Sequence, residues 1–166
     1  MAAKYPLEQI REIKQKRLEE AEKLLKEKKR LLDVEMEKLK KIEEKRDQVK
    51  KHRKDKLQKF LDEFSEGITS DKIITHDRYL KKIVDEELKT EEKKVVEQNK
   101  IVKKAEDEVE KARKERLKKN MDVEKLKLHK DEWSKEAYLE EMKIEAAETD
   151  ELGTNAHLRK GHDRHS

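Results

Sequence analysis

The fold is decided at residues 65–72, which read SEGITSDK and include Gly67, the only glycine before residue 153. Glycine adopts the left-handed conformation that commonly ends a helix, and the side chains of Thr69, Ser70 or Asp71 can cap the helix that follows. The sequence therefore predicts a single hairpin over residues 1–152. It consists of a helix of about 7–64, a turn at 65–70 and a helix of about 71–148, and residues 153–166 form a flexible polar tail.

The composition supports long helices and excludes a compact core. Of the 166 residues 52% are charged and 32% are hydrophobic, whereas an ordinary globular domain is roughly 25% charged and about half apolar. The three glycines and one proline provide few positions that would interrupt a helix, so the charged sequence favours helix over disorder. No apolar run approaches the roughly 18 residues that span a bilayer, and we expect no membrane insertion.

Apolar residues at seven-residue spacing predict how the two helices pair. One series contains Leu18, Leu25, Leu32, Leu39 and Phe60, and the other contains Ile74, Leu88, Val95, Val102, Val109, Val123 and Ala137. Such repeats place side chains on the seam of a supercoiled pair. Pairing Leu25 with Val109, Leu39 with Val95 and Phe60 with Ile74 centres every pair on residue 67. The sequence thus predicts an antiparallel coiled-coil hairpin that folds back at Gly67.

The same register places polar residues in the seam near positions 46–56 and 77–81. Arg46 would face Leu88 and Arg53 would face Lys81. Lys56 can meet Asp77, but a partly exposed ion pair contributes only about 0–1 kcal/mol, so we expect local opening in this stretch.

Charge and aromatic residues distinguish the two ends of the predicted hairpin. Residues 38–59 hold 11 Lys and Arg against 4 Asp and Glu, whereas residues 131–152 hold 2 against 9. With the register above, residues from about Leu128 to Glu148 have no partner. This overhang contains Trp133, Tyr138 and Met142, and aromatic residues and methionine are enriched in protein interfaces. Alternatively, the segment Tyr5-Pro6-Leu7 folds over these side chains.

The sequence lacks the motifs that catalysis or cofactor binding would require. The chain has no cysteine and no glycine-rich phosphate loop, and a helical hairpin offers no cleft that would shift the pKa of a carboxylate pair. We predict no enzyme, no cofactor and no metal site. Nucleic acid is an unlikely partner, because the net charge is only +4 and no aromatic residues stand among the basic ones of residues 38–59.

Two stretches carry a resemblance to a known family. The basic amphipathic start, IREIKQKRLEEAEK at residues 10–23, and the acidic close, ETDEL at residues 148–152, resemble the ends of YscO/FliJ proteins. The length and architecture are similar over nearly the whole chain, most closely to the chlamydial member of the YscO family.

This resemblance implies a type III secretion component of the bacterial cytoplasm, peripheral to the inner-membrane secretion apparatus. Members of the family act as a central stalk in a hexameric secretion ATPase and contact an export-gate subunit, secretion chaperones or a needle-length regulator. We expect the ATPase to contact the end where the termini meet, at Ile10, Arg11, Ile13, Lys14, Arg17, Trp133, Tyr138 and Met142. We expect a second partner at the turn end, at Phe60, Phe64 and Ile68.

Two alternatives remain open at this stage. One is a homodimeric coiled-coil scaffold, in which each chain forms a continuous helix or exchanges helices across residue 67. The other is a ribosome- or RNA-binding helical arm that uses the basic residues 38–59.

Overall fold

The structure, a computed structural model, describes residues 4–163, which contain helices and no strand. Helix α1 is Glu8–Ser65, α2 is Ser70–Arg78, and α3 is Asp85–Asp163. A π-helical segment, Tyr79–Val84, joins α2 to α3. The two long helices pack against each other, which confirms the predicted all-α helical hairpin.

The turn between α1 and α2 lies at Gly67. The φ angle of Gly67 is +85°, and its N–H donates to the carbonyl of Phe64 at 3.2 Å. A side chain would be strained at this φ. Thr69 is the residue that precedes α2, and its side chain makes no capping hydrogen bond. The chain therefore reverses at the predicted glycine, whereas Thr69 does not form the predicted side-chain cap.

Contacts divide the chain into two units. We call Glu22–Glu115 the turn unit, and Met1–Ala21 with Arg116–Ser166 the terminal unit. Each unit contains one part of α1 and one part of α3.

The turn unit has a narrow apolar seam. Leu25, Val109 and Ala112 form a buried cluster, and Leu32 packs against it, which agrees with the predicted pairing of Leu25 with Val109. The least exposed positions alternate at spacings of three and four residues. In residues 25–49 of α1 they are Leu25, Lys28, Leu32, Glu35, Leu39, Ile42, Arg46 and Val49, with Glu43 half-buried beside Ile42. In α3 they are Leu88, Glu91, Val95, Gln98, Val102, Ala105, Val109 and Ala112.

Two polar layers interrupt this seam. Gln98 is buried, and its amide donates to the carbonyl oxygen and a carboxylate oxygen of Glu35, at 3.0 and 2.7 Å. Glu91 is 3% exposed and pairs with Lys45 at 3.3 Å and Lys94 at 3.2 Å. Polar groups inside a coiled coil reduce stability and select one register. These layers therefore help to define which residues of α1 and α3 face each other.

The π-helical segment accommodates one extra residue in the heptad pattern. Extending the α3 spacing back from Leu88 places Ile74 on the seam, yet Ile74 is 55% exposed while Ile73 is half-buried. A π-helix closes i→i+5 hydrogen bonds, and the N–H of Asp85 donates to the carbonyl of Leu80 in this way. The predicted pairing of Phe60 with Ile74 is therefore wrong, because the seam shifts by one residue before Val84.

The polar contacts near the turn also differ from those that the sequence predicts. Arg53 donates to Asp85 at 2.7 Å instead of facing Lys81, and Lys81 pairs with Asp77 on its own helix at 3.3 Å. Val84, at the end of the π-helical segment, is completely buried. The expected local opening of this stretch stays a prediction.

Helix α3 is longer than the sequence predicts. It continues to Asp163 instead of ending near residue 148. Only Gly153 and Gly161 oppose helix in this stretch, at about 1 kcal/mol each, and no proline follows them. The flexibility of residues 153–166 stays a prediction, and residues 164–166 lie outside the described part of the chain.

Candidate protein-interaction surfaces

In the terminal unit, Tyr5 lies just before α1 and packs against α3. Tyr5 is buried, and its hydroxyl forms a hydrogen bond with Nδ1 of His129. Its ring meets Trp133 edge to face, with the ring centroids 5.5 Å apart. The predicted overhang therefore does not begin at Leu128, because Tyr5 packs on α3 as far along as Trp133. The alternative, in which Tyr5-Pro6-Leu7 folds over the aromatic residues, holds for Trp133.

Ion pairs support this closure. Glu8 pairs with Arg11 at 2.6 Å and with Lys130 of α3 at 3.2 Å. The hydrogen bond from Arg11, together with that from Lys130, lowers the pKa of Glu8 below its usual value, against a partial opposing effect of burial. Glu8 is therefore held as a carboxylate between two cations at the start of α1, where negative charge also stabilises the helix.

The predicted site residues of α1 lie on two different faces. Arg11 and Lys14 are half-buried and form ion pairs, Lys14 with Asp122 at 3.6 Å. By contrast, Ile10 and Ile13 are 44% and 49% exposed, and Arg17 is also exposed. Arg11 and Lys14 thus serve the packing of the terminal unit, while Ile10, Ile13 and Arg17 remain accessible.

A groove in the terminal unit brings two predicted aromatic residues together. Trp133 and Tyr138 line an open groove of about 1070 Å³, together with Lys4, Pro6 and Glu12. Met142 lies beyond the groove. The other predicted residues of this unit, all on α1, do not line it.

Beyond Ala137, which is half-buried, α3 continues as an exposed helix. We call residues 138–163 the α3 extension. Tyr138, Leu139 and Met142 are 61%, 59% and 49% exposed. Helical spacing places these three residues on one face together with Ala146, and Glu141 and Glu145 border that face. The extension therefore presents an apolar stripe in an acidic surrounding.

The turn unit presents a second apolar stripe, which the sequence reasoning identified only in part. Phe60 is half-buried against the ring of His76, with the centroids 5.2 Å apart, and Ile68 is half-buried. Only Phe64 of the three predicted residues is exposed. The missed residues are Leu57 and Leu61, 38% and 50% exposed.

Their spacing was a signal that could have revealed them. Leu57, Leu61 and Phe64 follow at i, i+4 and i+7, so they share one face of α1. Lys50 and Lys54 continue the same 4–3–4–3 spacing towards the N-terminus. We call Leu57, Leu61 and Phe64 the turn stripe. Lysines therefore lie on the N-terminal side of this stripe, whereas Asp62, Glu63 and Glu66 stand beside its C-terminal half in the sequence.

Among residues 4–163, no group of three or more His, Asp or Glu side chains is placed to hold a metal ion. In the same range no helix is long and apolar enough to cross a membrane. What the described residues display is an all-α helical hairpin with exposed apolar stripes.

Comparison with known proteins identifies the family. The family model of YscO-like proteins matches residues 2–163, and the chain belongs to this family. The solved structure of CT670 from Chlamydia trachomatis, described as a candidate YscO homolog, is similar with a TM-score of 0.88. The two sequences are 42% identical, and the match covers 93% of this chain and 95% of the chlamydial one. No sequence among the curated proteins matches.

This membership confirms the resemblance drawn from the two ends of the sequence. It suggests a protein related to type III secretion. Proteins of the YscO-like family are structural components of secretion systems, and the family is not a known enzyme family.

Proposed function

We propose that this protein is a non-enzymatic stalk of a type III secretion system, which binds the hexameric secretion ATPase and links it to the export apparatus. The observation that carries the proposal is the α3 extension, a helix that continues beyond Ala137 with Tyr138, Leu139 and Met142 exposed. Membership in the YscO-like family supports the choice of partner. The proposed location is the bacterial cytoplasm, beside the inner-membrane apparatus.

The terminal unit supplies the ATPase-binding surface in this proposal. Tyr138 and Met142 are the main contacts, and Ile10, Ile13 and Arg17 contribute from α1. Trp133 has a positioning role, because its contact with Tyr5 keeps the end of α1 next to α3 where the extension begins. Arg11 and Lys14 act in the same way through their ion pairs with Glu8 and Asp122.

The turn unit supplies a second surface, for an export-gate subunit, a secretion chaperone or the needle-length regulator. Of the residues expected there, Phe64 is the accessible one, and Leu57 and Leu61 extend the surface. Phe60 and Ile68 support the turn from within, since both are half-buried.

A single stalk cannot contact six identical subunits of a ring in the same way. If the ATPase binds the stalk more tightly in one nucleotide state than in another, nucleotide hydrolysis shifts the preferred orientation of the stalk. This gives the proposed link between the ATPase and the export apparatus a physical basis that needs no chemistry on the stalk itself.

The proposal is tested by measuring the affinity of the secretion ATPase for Tyr138→Ser/Met142→Ser. We expect at least a tenfold loss of affinity, about 1.4 kcal/mol, with unchanged helicity by circular dichroism. The matched control is Leu117→Ser/Met121→Ser, since these residues of the same unit are also large, apolar and exposed. Wild-type affinity in the first variant, or an equal loss in both variants, would refute the assignment.

A further inference from the structure

The groove of the terminal unit combines aromatic rings with carboxylates. Trp133 and Tyr138 line it from α3, and Tyr138 is exposed. Glu12 of α1 and Glu141 of α3 line it as well, and both of them are exposed. The groove therefore offers an accessible aromatic ring together with two accessible carboxylates, one from each helix.

These two carboxylates differ from the third one in the groove. Glu8 also lines it, but Lys130 and Arg11 already pair with Glu8, at 3.2 and 2.6 Å. Within residues 4–163, by contrast, neither Glu12 nor Glu141 forms an ion pair. The charge of Glu12 also acts on Arg11, whose guanidinium donates hydrogen bonds to Glu8. Two carboxylates of the groove are thus available to a cation from outside.

The surroundings of the groove are acidic. Lys4 adds one positive charge to its lining, but residues 131–152 hold 2 Lys and Arg against 9 Asp and Glu. A concave surface with charge of one sign attracts groups of the opposite sign and repels groups of the same sign. The charge therefore favours a basic occupant over an acidic one.

Arginine is the basic side chain that fits both features of the groove. Its planar guanidinium stacks on aromatic rings and pairs with carboxylates through two parallel N–H groups. The ammonium of lysine is a compact and strongly hydrated charge that cannot form the paired contact. A guanidinium above the ring of Tyr138 would also be attracted by the negative face of that ring.

We propose that the groove binds a basic segment of a partner protein, with an arginine of that segment stacked on Tyr138 and paired with Glu12 or Glu141. The inference rests on the proposed function, because Tyr138 belongs to the surface proposed for the secretion ATPase. It adds the chemistry of the contact, namely that the segment of the ATPase that meets this surface presents an arginine.

The first test uses the full chain and short blocked peptides of alternating alanine and arginine, alanine and lysine, or alanine and glutamate. Isothermal titration calorimetry measures binding, and the fluorescence of Trp133, the only tryptophan, shows whether a peptide enters the groove. At about 0.1 M salt we expect saturable binding of the arginine peptide, about threefold or more weaker binding of the lysine peptide, and none of the glutamate peptide.

A pair of matched variants then tests the assignment of the carboxylates. Glu12→Gln/Glu141→Gln removes the two available charges and should weaken binding of the arginine peptide about fivefold or more. The control, Glu132→Gln/Glu136→Gln, removes two charges from exposed residues of the same unit that do not line the groove. It should weaken binding by less than about twofold, because charges at the surface are partly screened.

Three results with the peptides would overturn the inference. The first is no saturable binding of the arginine peptide, and the second is equal or tighter binding of the lysine peptide. The third is an equal loss in the two pairs of variants, which would mean a general attraction to the acidic surface.

Measurement with the ATPase separates this inference from the proposed function. The inference is overturned, and the proposed function stands, if Tyr138→Ser/Met142→Ser weakens binding of the ATPase while Glu12→Gln/Glu141→Gln binds it like the wild type. Conversely, if the arginine peptide binds as expected and the wild-type chain does not bind the ATPase, the proposed function fails and the chemistry assigned to the groove stands.

Discussion

The terminal unit and the turn unit use the same two helices and hold them together differently. In the turn unit the seam is long and regular, with Leu25, Val102 and Val109 buried and polar layers at Gln98 and Glu91. In the terminal unit a residue outside the helices, Tyr5, packs on Trp133 and His129. Heptad spacing thus accounts for the turn unit except at the π-helical segment, whereas the terminal unit adds an aromatic cluster and ion pairs to its helix packing.

The largest effect is expected when the seam is shifted by deletion of one residue. Deletion of Lys103 rotates the following part of α3 by about 100° per missing residue, which moves Val109 and Ala112 off the seam. We expect a loss of at least about 3 kcal/mol in the free energy of unfolding, comparable to removal of a large buried side chain. Urea denaturation followed by circular dichroism measures it.

The matched deletion is Lys82, in the π-helical segment. It removes the extra residue, so that Leu80 and Val84 stand three apart and the regular spacing continues through α2. We expect a change of less than about 1 kcal/mol, or a gain in stability. Similar losses for the two deletions would show that the π-helical segment does not accommodate an inserted residue.

A smaller effect is expected from Leu25→Ala in the core of the turn unit. Leu25 packs against Val109 and Ala112, and truncation of a buried leucine costs about 2–4 kcal/mol. Its neighbour Leu24 is 47% exposed, so Leu24→Ala should change stability by less than about 0.5 kcal/mol. Thermal and urea unfolding of the two variants are measured together. A larger loss of stability in Leu24→Ala than in Leu25→Ala would contradict the seam assignment.

The contact that closes the terminal unit is tested with Tyr5→Ala. Loss of the buried ring and its contact with Trp133 should cost about 2 kcal/mol. Trp133 is the only tryptophan of the chain, so its fluorescence should shift to longer wavelength as water reaches it. Tyr138→Ala, at an exposed position, is the control. An unchanged spectrum in Tyr5→Ala would contradict the closure.

The smallest expected effect is the pH dependence that Glu91 contributes in the turn unit. Burial acts to raise the pKa of Glu91, but hydrogen bonds from Lys94 and Lys45 outweigh it, and the pKa lies below its ordinary value of 4.5. A lowered pKa in the folded state stabilises the fold above the unfolded value, and this stability is lost as the pH falls through the folded value. The loss is therefore expected below about pH 4.5.

Glu91→Gln should remove this contribution, so that stability falls less steeply than in the wild type between pH 5 and pH 3. Urea denaturation across this range gives the two curves. Parallel curves would show that the carboxylate of Glu91 has the same pKa in the folded and unfolded chain.

Much of the fold is predictable from the sequence. Gly67 marks the turn because a residue with positive φ is required there, and the pairing of Leu25 with Val109 follows from the seven-residue spacing. The seam near the turn was not predictable in this way. Ile73 and Ile74 are adjacent and equally apolar, so the sequence alone does not show that one extra residue at Tyr79–Val84 selects Ile73.

The candidate surfaces were predictable where exposure depends on helical spacing alone. Tyr138 and Met142 were expected to be exposed, and they are. Trp133 was expected to be exposed as well, yet Tyr5 covers it. Tyr5 precedes α1, so a register counted along the helices does not locate its side chain. Leu57 and Leu61 do not belong to the seven-residue series of the seam, so that series does not predict their exposed stripe on the outer face of α1.

The proposed binding of the secretion ATPase by the α3 extension is tested by comparing capture of the ATPase by the full chain and by a chain that ends at Ala137. This variant keeps Tyr5, His129 and Trp133 together, and its thermal unfolding should match that of the full chain. The account predicts that the full chain captures the ATPase and that the shortened chain does not. Equal capture by a shortened chain that unfolds at the same temperature would contradict it.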